Sequence, residues 1–227
     1  MKMDMNIWLS HFFCRKIAEL TPSCDQLDNL VLTDFDLVQA KLASTEVEKI
    51  CLLQQQGFQF VEGEIRFVCD LANFSSDMTA CRPARLDDLA KMEGFSHQFA
   101  HTRFRSPWFS AKENQRFYRQ WFENAIKGEF DDICLVCETE NGDIQGAISV
   151  RLSGKIAQVG LIAVAEQWQG QGIGKRLLSA AMRWAKSQQA ETLEIATQSS
   201  NLKAIRLYQS IGATICGIYY WFYWQTT

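Results

Sequence analysis

The spacing of apolar and polar residues changes character along the chain, and each change predicts an element. FDLVQAKL (Phe35 to Leu42) reads as a strand. Thr45 and Glu48 stand at capping-box spacing, which predicts a helix running to Gln55 or Gln56, and Gly57 suits its C-terminal cap. FQFVEGEIRFV (Phe58 to Val68) is the next strand; a period of two puts Glu62 and Glu64 on one face with Phe58 and Phe60. NFSSDMT (Asn73 to Thr79) is short, polar and turn-like. It marks the expected boundary between a small α/β domain, residues 1–78, and a larger domain, residues 79–227.

Beyond that boundary the pattern is that of an α/β domain. RPARLDDLAKMEGF carries the end of a strand into a helix, and KENQRFYRQWFENAIKG (Lys112 to Gly128) is an amphipathic helix closed by glycine. A meander follows: ICLVCETE, the turn Asn141-Gly142, DIQGAISVRL, the turn Ser153-Gly154, and IAQVGLIAV (Ile156 to Val164). After a glycine-rich run, Ile173, Leu177, Leu178, Ala181, Trp184 and Ala185 recur at a helical period, opposite Lys175, Arg176, Ser179, Arg183 and Lys186. TLEIATQ is a strand, NLKAIRLYQSIG a helix and TICGIYYWFYW a last, apolar strand. The expected fold class is α/β: a mixed central sheet flanked by helices, preceded by the small α/β domain. The aromatic run Tyr219 to Trp224 suits a buried core strand or a strand that joins two chains in a homodimer.

Composition narrows the partners. With 47% apolar and 22% charged residues the chain resembles ordinary soluble proteins. A net charge of −3 argues against general affinity for nucleic acid. No apolar run reaches the ~18 to 20 residues that span a bilayer. MKMDMNIWLSHFFCRKIAEL breaks its short apolar patch with Asp4, Asn6, Ser10 and His11 and reads poorly as a signal peptide. Most of the eight cysteines are expected as buried free thiols in a reducing cytoplasm. Cys134 and Cys137 form C-x-x-C inside a strand, where residues three apart face opposite ways; with no second ligand pair, no metal is expected.

The glycine run QGQGIGK (Gln169 to Lys175) suggests an anion site. A P-loop fails because Gln169 stands where the first glycine belongs and Arg176 where Ser or Thr belongs. A dinucleotide fingerprint fails because Lys175 replaces the third glycine. Q-x-x-G-x-G is met by Gln169, Gly172 and Gly174. In that design a helix start offers open N–H groups, and glycines clear space for a diphosphate, with Lys175 and Arg176 adding charge.

With IAQVGLIAV before it and NLKAIRLYQSIGA after it, this loop resembles that of the GCN5-related N-acetyltransferase superfamily. The resemblance implies acetyl-CoA as co-substrate, its pyrophosphate held by Gln169, Gly170, Gln171, Gly172, Ile173, Gly174 and Lys175. It implies that the preceding strand splays from its neighbour and offers the backbone of Leu161, Ile162, Ala163 and Val164 to the pantetheine arm, like an added strand. In N-x-x-A-x-x-x-Y it implies a hydrogen bond from Asn201 to the cofactor, and Tyr208 as general acid for the leaving thiolate. Spacing alone makes Tyr208 a core tyrosine, on the stripe Ala204, Leu207, Tyr208, Ile211. An amine acceptor needs a base. Glu62 is the candidate, against the reading of VEGEIRF as a solvated strand face.

VQAKLAS, LLQQQGFQFVEGE, TRFRSPWFS, FYRQWFENAIKGEFD and ATQSSNLKAIRLYQSIGA are similar to the amino-sugar-nucleotide acetyltransferases of that superfamily, over nearly the whole chain. The implied acceptor is the amine of a nucleotide sugar, attacking the thioester directly. In HTRFRSPWF, Arg103 and Arg105 suit a diphosphate and Trp108 or Phe104 a stacked base, or the stretch is a surface loop with an apolar anchor. Chains of the family it resembles often read W-[DE]-S-x-F-F-G near the start, where this one reads Trp8-Leu9-Ser10-His11-Phe12-Phe13-Cys14. Three other functions compete. Acetylation of a protein N-terminus is opposed by the extra N-terminal domain, which would crowd a peptide groove. A CoA-binding module without turnover is opposed by the intact Gln169, Gly172, Gly174, Asn201 and Tyr208. A redox protein would need reactive Cys134 and Cys137.

Overall fold

The computed structural model describes residues 2–21, 31–75, 81–99 and 102–226. In chain order the elements are β1 (Lys2–Met5), α1 (Ile7–Phe13), β2 (Ile17–Thr21), β3 (Leu37–Ala43), α2 (Val47–Gln55), β4 (Gln59–Asp70), β5 (Cys81–Pro83), a 3-10 segment (Leu86–Phe99), α3 (Ala111–Lys127), β6 (Ile133–Glu138), β7 (Ile144–Ser153), β8 (Ile156–Val164), α4 (Ile173–Ser187), β9 (Thr192–Gln198), α5 (Leu202–Gln209) and β10 (Thr214–Gln225). Two compact units form: Met1–Ile65 with Gln198–Ser200 and Gly217–Thr227, and Arg66–Thr197 with Asn201–Cys216. Ser76 to Thr79 of the expected boundary stretch lie outside the described residues. The units divide after Ile65, and most of β10 belongs to the first.

In the first unit the strand order is β1-β2-β3-β10-β4. β2 and β3 are parallel, while β1–β2 and β3–β10 are antiparallel. One face buries Ala18, Leu20, Val38, Ala40, Leu42 and Phe222 against Leu53 of α2 and Phe58. The expected capping box of Thr45 and Glu48 does not form. Glu46 is the N-cap residue, without a side-chain cap. Its carboxylate accepts the Lys49 ammonium at 2.5 Å and the Ala43 N–H at 2.8 Å, and these bonds hold its pKa below the usual carboxylate range. Gly57 does close α2, at φ +83°, donating its N–H to the Gln54 carbonyl.

β4 also departs from its expected pattern. Phe60 packs edge-on against Tyr220 and Phe222. Glu64 instead accepts the indole N–H of Trp221, the residue between them, at 3.0 Å and pairs with Lys41 at 2.5 Å. Neighbouring residues of a strand face opposite ways, so Glu64 is not on the face of Phe60. The alternation breaks between them, where Gly63 passes so close to Ser199 that a Cβ would lie 2.5 Å from its Oγ. β10 lies between β3 and β4 and pairs with β3 over Tyr219 to Gln225. Phe222 and Tyr223 are buried, which fits the core-strand alternative for that aromatic run. In α1, Asn6 caps the Leu9 N–H at 2.9 Å and Leu9 is buried. Cys14 ends the helix in the left-handed region at φ +53°.

The second unit orders its strands β4-β9-β8-β7-β6-β5. β5 to β8 are antiparallel neighbours and β8–β9 is parallel, giving the expected mixed sheet. α4 packs on β6, β7 and β8, and α3 on β6 and the 3-10 segment. Ser110 and Glu113 form a full capping box on α3, and Gly128 ends it at φ +72°. Ile173, Leu177, Leu178, Ala181 and Ala185 are buried as expected; Ser179, placed on the polar face from its spacing, is buried as well. The thiol expectation needs correction. Cys81 and Cys137, directly opposite across β5–β6, are joined by a disulfide. Cys69 and Cys134 are buried free thiols, whereas Cys14, Cys51 and Cys216 are exposed; Cys24 lies outside the described residues. No described helix is long and apolar enough to cross a membrane.

Candidate acyl-CoA site

The second unit builds the expected strand and loop. β8 pairs with β7 as far as Val164, opposite Gly146. With β9, among the described residues, it pairs only over Ile156 to Gln158, although β9 runs on to Gln198. From Val159 onward the β9-facing edge of β8 therefore carries backbone groups with no strand to bond. The departure coincides with an irregularity: the pairs step from Ile148↔Ile162 to Val150↔Val159. Leu161 and Ala163 are buried, while Ile162 and Val164 are half-buried.

The loop continues from the end of this strand. Gln169 donates from Nε2 to the Val164 carbonyl at 3.3 Å and to Gln98 Oε1 at 3.0 Å. It thus ties the turn to β8 and to the 3-10 segment; Gln98 carried no signal in the sequence. Gln171 donates to the Gln167 carbonyl at 3.0 Å. Gly170 and Gly172 adopt φ +75° and +79°, with open space where a Cβ would stand. They are glycines for backbone conformation, not for close packing. Gly174 serves differently: a Cβ there would lie 2.8 Å from Leu207 Cδ2 of α5. Gly172 is the N-cap of α4 and no side chain caps that end. The first-turn amides of Ile173, Gly174 and Lys175 therefore have neither a side-chain cap nor an intrahelical acceptor. With exposed Lys175 beside it, this open turn fits a diphosphate.

α5 carries the other two expected cofactor-side residues. Asn201 is its N-cap, Oδ1 accepting the Ala204 N–H at 3.2 Å, so Nδ2 is the group it has to offer a ligand. Tyr208 is 2% exposed, edge-on to Phe67 with centroids 5.5 Å apart. Burial pushes its phenol well above the ordinary 10.0. A weaker phenol widens the gap to a thiol near 8.5, which already makes proton donation uphill by roughly 2 kcal/mol. The placement satisfies the core-stripe reading. It also makes the phenol a poorer proton donor than an exposed tyrosine.

Glu62, in the first unit, is 7% exposed and accepts the N–H of Gly63 on Oε1 at 3.0 Å. It is therefore not on a solvated strand face. The Arg103–Trp108 stretch, whose preceding His101 lies outside the described residues, is an anchored loop. Trp108 is 8% exposed, and Phe104 is buried against Phe117 and Phe109. Phe104 has no face open for a base, because Phe117 and Tyr118 of α3 and Phe109 pack on it, and little of Trp108 is left exposed to stack on one. Arg105 donates to the Thr102 carbonyl at 2.9 Å, and the Arg103 guanidinium lies 4.1 Å from the Phe104 ring. No cluster of three or more His, Cys, Asp or Glu among the described residues is arranged to hold a metal.

Comparison with known proteins adds a family context. The Acetyltransferase (GNAT) family profile matches residues 97–213. A dTDP-fucosamine acetyltransferase of Escherichia coli O6:H1 is 36% identical over 219 residues, covering 95% of both chains. A Bacillus subtilis protein, a named candidate for [ribosomal protein bS18]-alanine N-acetyltransferase, is 27% identical over 139 residues, 61% of this chain and 83% of its own. Among solved structures, a GCN5-related N-acetyltransferase from Sphaerobacter thermophilus superposes with TM-score 0.60 at 16% identity, over 83% of this chain and 59% of that one.

Proposed function

Because the chain belongs to the GNAT acetyltransferase family, we propose that it moves acetyl from acetyl-CoA to the 4-amino group of dTDP-4-amino-4,6-dideoxy-D-galactose. The observation that carries the cofactor half is the unpaired edge of β8 leading into the Gly170–Gly174 turn at an uncapped helix start. The acceptor half is supported by the similarity to dTDP-fucosamine acetyltransferase, which runs the length of both chains. A cytoplasmic enzyme feeding enterobacterial common antigen is part of the same reading.

Acetyl-CoA would supply an activated acyl group as a thioester. The open amides of Ile173, Gly174 and Lys175 bind the diphosphate, and the Lys175 ammonium adds charge to that end. The backbone of Leu161 to Val164 orients the arm that carries the thioester and faces the carbonyl oxygen with N–H groups as negative charge grows on it. The amine loses a proton, its nitrogen bonds to the acyl carbon, and the carbon–sulfur bond breaks. Tyr208 stabilises the departing sulfur by hydrogen bonding, and Glu62 is the candidate to receive the amine proton.

CoA release with this amino sugar, beside its gluco epimer and an alanine-ended peptide, tests the reading. Turnover selective for the galacto sugar is expected. Turnover on the peptide alone would transfer the enzyme to protein N-terminal acetylation, the activity for which the Bacillus subtilis relative is a named candidate.

A further inference from the structure

One buried acid has no part in the acyl-transfer steps above. Asp131, in the loop before β6, is 1% exposed. Its Oδ2 accepts the Trp121 indole N–H at 3.0 Å, while Oδ1 has no hydrogen-bond partner. Burial raises its pKa against the opposing pull of Ser149 and Trp121. A buried carboxyl with an unpartnered oxygen is costly to keep.

Its surroundings show what it positions. Gly160 of β8 lies directly against it: a Cβ there would stand 2.5 Å from Oδ2, 2.8 Å from Oδ1 and 2.8 Å from Ser149 Oγ. The next residue, Leu161, gives its N–H to Ser149 Oγ at 2.9 Å in place of a strand carbonyl. With that oxygen taken as acceptor, the hydroxyl proton is left to turn to the Asp131 carboxyl. Ser149 of β7 thus faces two residues of β8, Gly160 and Leu161, and the pair of strands carries a bulge. The bulge begins two residues past Gln158, the last of β8 to pair with β9.

We propose that Asp131 is a positioning residue for acyl transfer: through Ser149 it fixes the bulge at Gly160 and Leu161, and so the point at which the free edge of β8 leaves β9. The inference rests on that edge being the acyl-CoA site. Without the Ser149 oxygen the Leu161 N–H is buried with no acceptor. The strand regains one by slipping a residue against β7, which reverses the outward directions of Ile162 to Val164. Glycine is required at 160 because the acid occupies the place of a side chain.

Calorimetric titration of CoA into the full chain, with steady-state kinetics beside it, tests this on wild type, Asp131→Asn and Ser149→Ala. Asparagine keeps the size and an acceptor for Trp121 but turns a donor towards Ser149. Both variants are expected to bind CoA about tenfold more weakly, with a matching rise in KM for acetyl-CoA and an unchanged KM for the amine. Folded variants that bind CoA as wild type does, whatever their melting temperature, would overturn the proposal. If neither variant folds, hydrogen exchange on the wild-type chain decides: slow exchange at the Leu161 amide supports the Ser149 anchor, and fast exchange removes it. A wild-type chain that does not bind CoA would instead defeat the cofactor reading itself.

Discussion

Leu207 of α5 fills the space that a side chain at residue 174 would need, its Cδ2 standing 2.8 Å from the position of a Cβ on Gly174. The helix that presents the open amides is thereby seated against the helix that carries Asn201 and Tyr208. Alanine at 174 would favour helix by about 1 kcal/mol, but overpacking costs roughly 1–3 kcal/mol. Gly174→Ala is expected to lose about 1 kcal/mol net and to weaken CoA binding. Adding Leu207→Ala should restore much of the CoA affinity, and a double-mutant cycle measured by calorimetry checks the coupling. Gly172→Ala should gain nothing from Leu207→Ala, because its φ of +79°, not a neighbour, excludes the side chain.

Tyr208→Phe keeps the ring against Phe67 and removes only the hydroxyl. We expect kcat to fall by about 10²-fold, with KM for acetyl-CoA little changed, in steady-state assays. The same variant has a stability signature. The folded phenol titrates above its ordinary 10.0 because it is buried, so its contribution is fully present below that pH. It is lost as pH rises from 10.0 through the folded value, because the unfolded chain ionises first. Denaturant titrations should show wild type weakening more steeply above pH 10.0 than Tyr208→Phe.

Much of the architecture was legible because turns and periods are local. Asn141-Gly142 marked the β6–β7 hairpin, the glycine run marked the start of α4, and Gly128 marked the end of α3. What escaped depended on neighbours distant in sequence. Trp108, three residues after Arg105, looks the same whether it meets solvent or the protein interior, and only the fold shows it buried. Gly174 reads as a phosphate-loop glycine, while its tightest constraint is Leu207. Asp131, beside Asp132, carried no signal in the sequence; its burial follows from the meeting of α3, β7 and β8. The missed cap of α2 is a local competition, in which Glu46 bonds Ala43 and Lys49 and displaces the Thr45 pattern by one residue.

Arg82 joins two acids, donating to Asp88 at 2.8 and 3.0 Å and to Glu138 at 2.5 Å. Asp88 is buried, and the guanidinium holds its carboxyl below the usual range, helped by the Arg85 N–H. Arg82→Met would leave that charge without its partner, and a loss of about 3 kcal/mol is expected in urea melts. The depressed pKa sets the pH dependence. The stabilisation is present above the unfolded value of 3.8 and fades as pH falls through the folded one. Wild type and Arg82→Met should therefore converge in stability below pH 3.8.

The C-x-x-C stretch gives a chemical test of the redox alternative. Cys137 is bonded to Cys81 across two strands, and its sequence neighbour Cys134 is left as a buried free thiol. Burial, with the nearby Asp131 and Asp88, pushes the Cys134 pKa up to about 12. The thiolate is the reactive form, so at pH 8 only about one part in 10⁴ of this thiol is ionised, and that part is shielded. Alkylation of the native chain at pH 8, followed by peptide mass spectrometry, should modify the exposed Cys14, Cys51 and Cys216 and leave Cys134 unmodified until the fold is disrupted. Rapid native labelling of Cys134, or a Cys134–Cys137 bond in place of Cys81–Cys137, would contradict the β5–β6 pairing and reopen the redox reading.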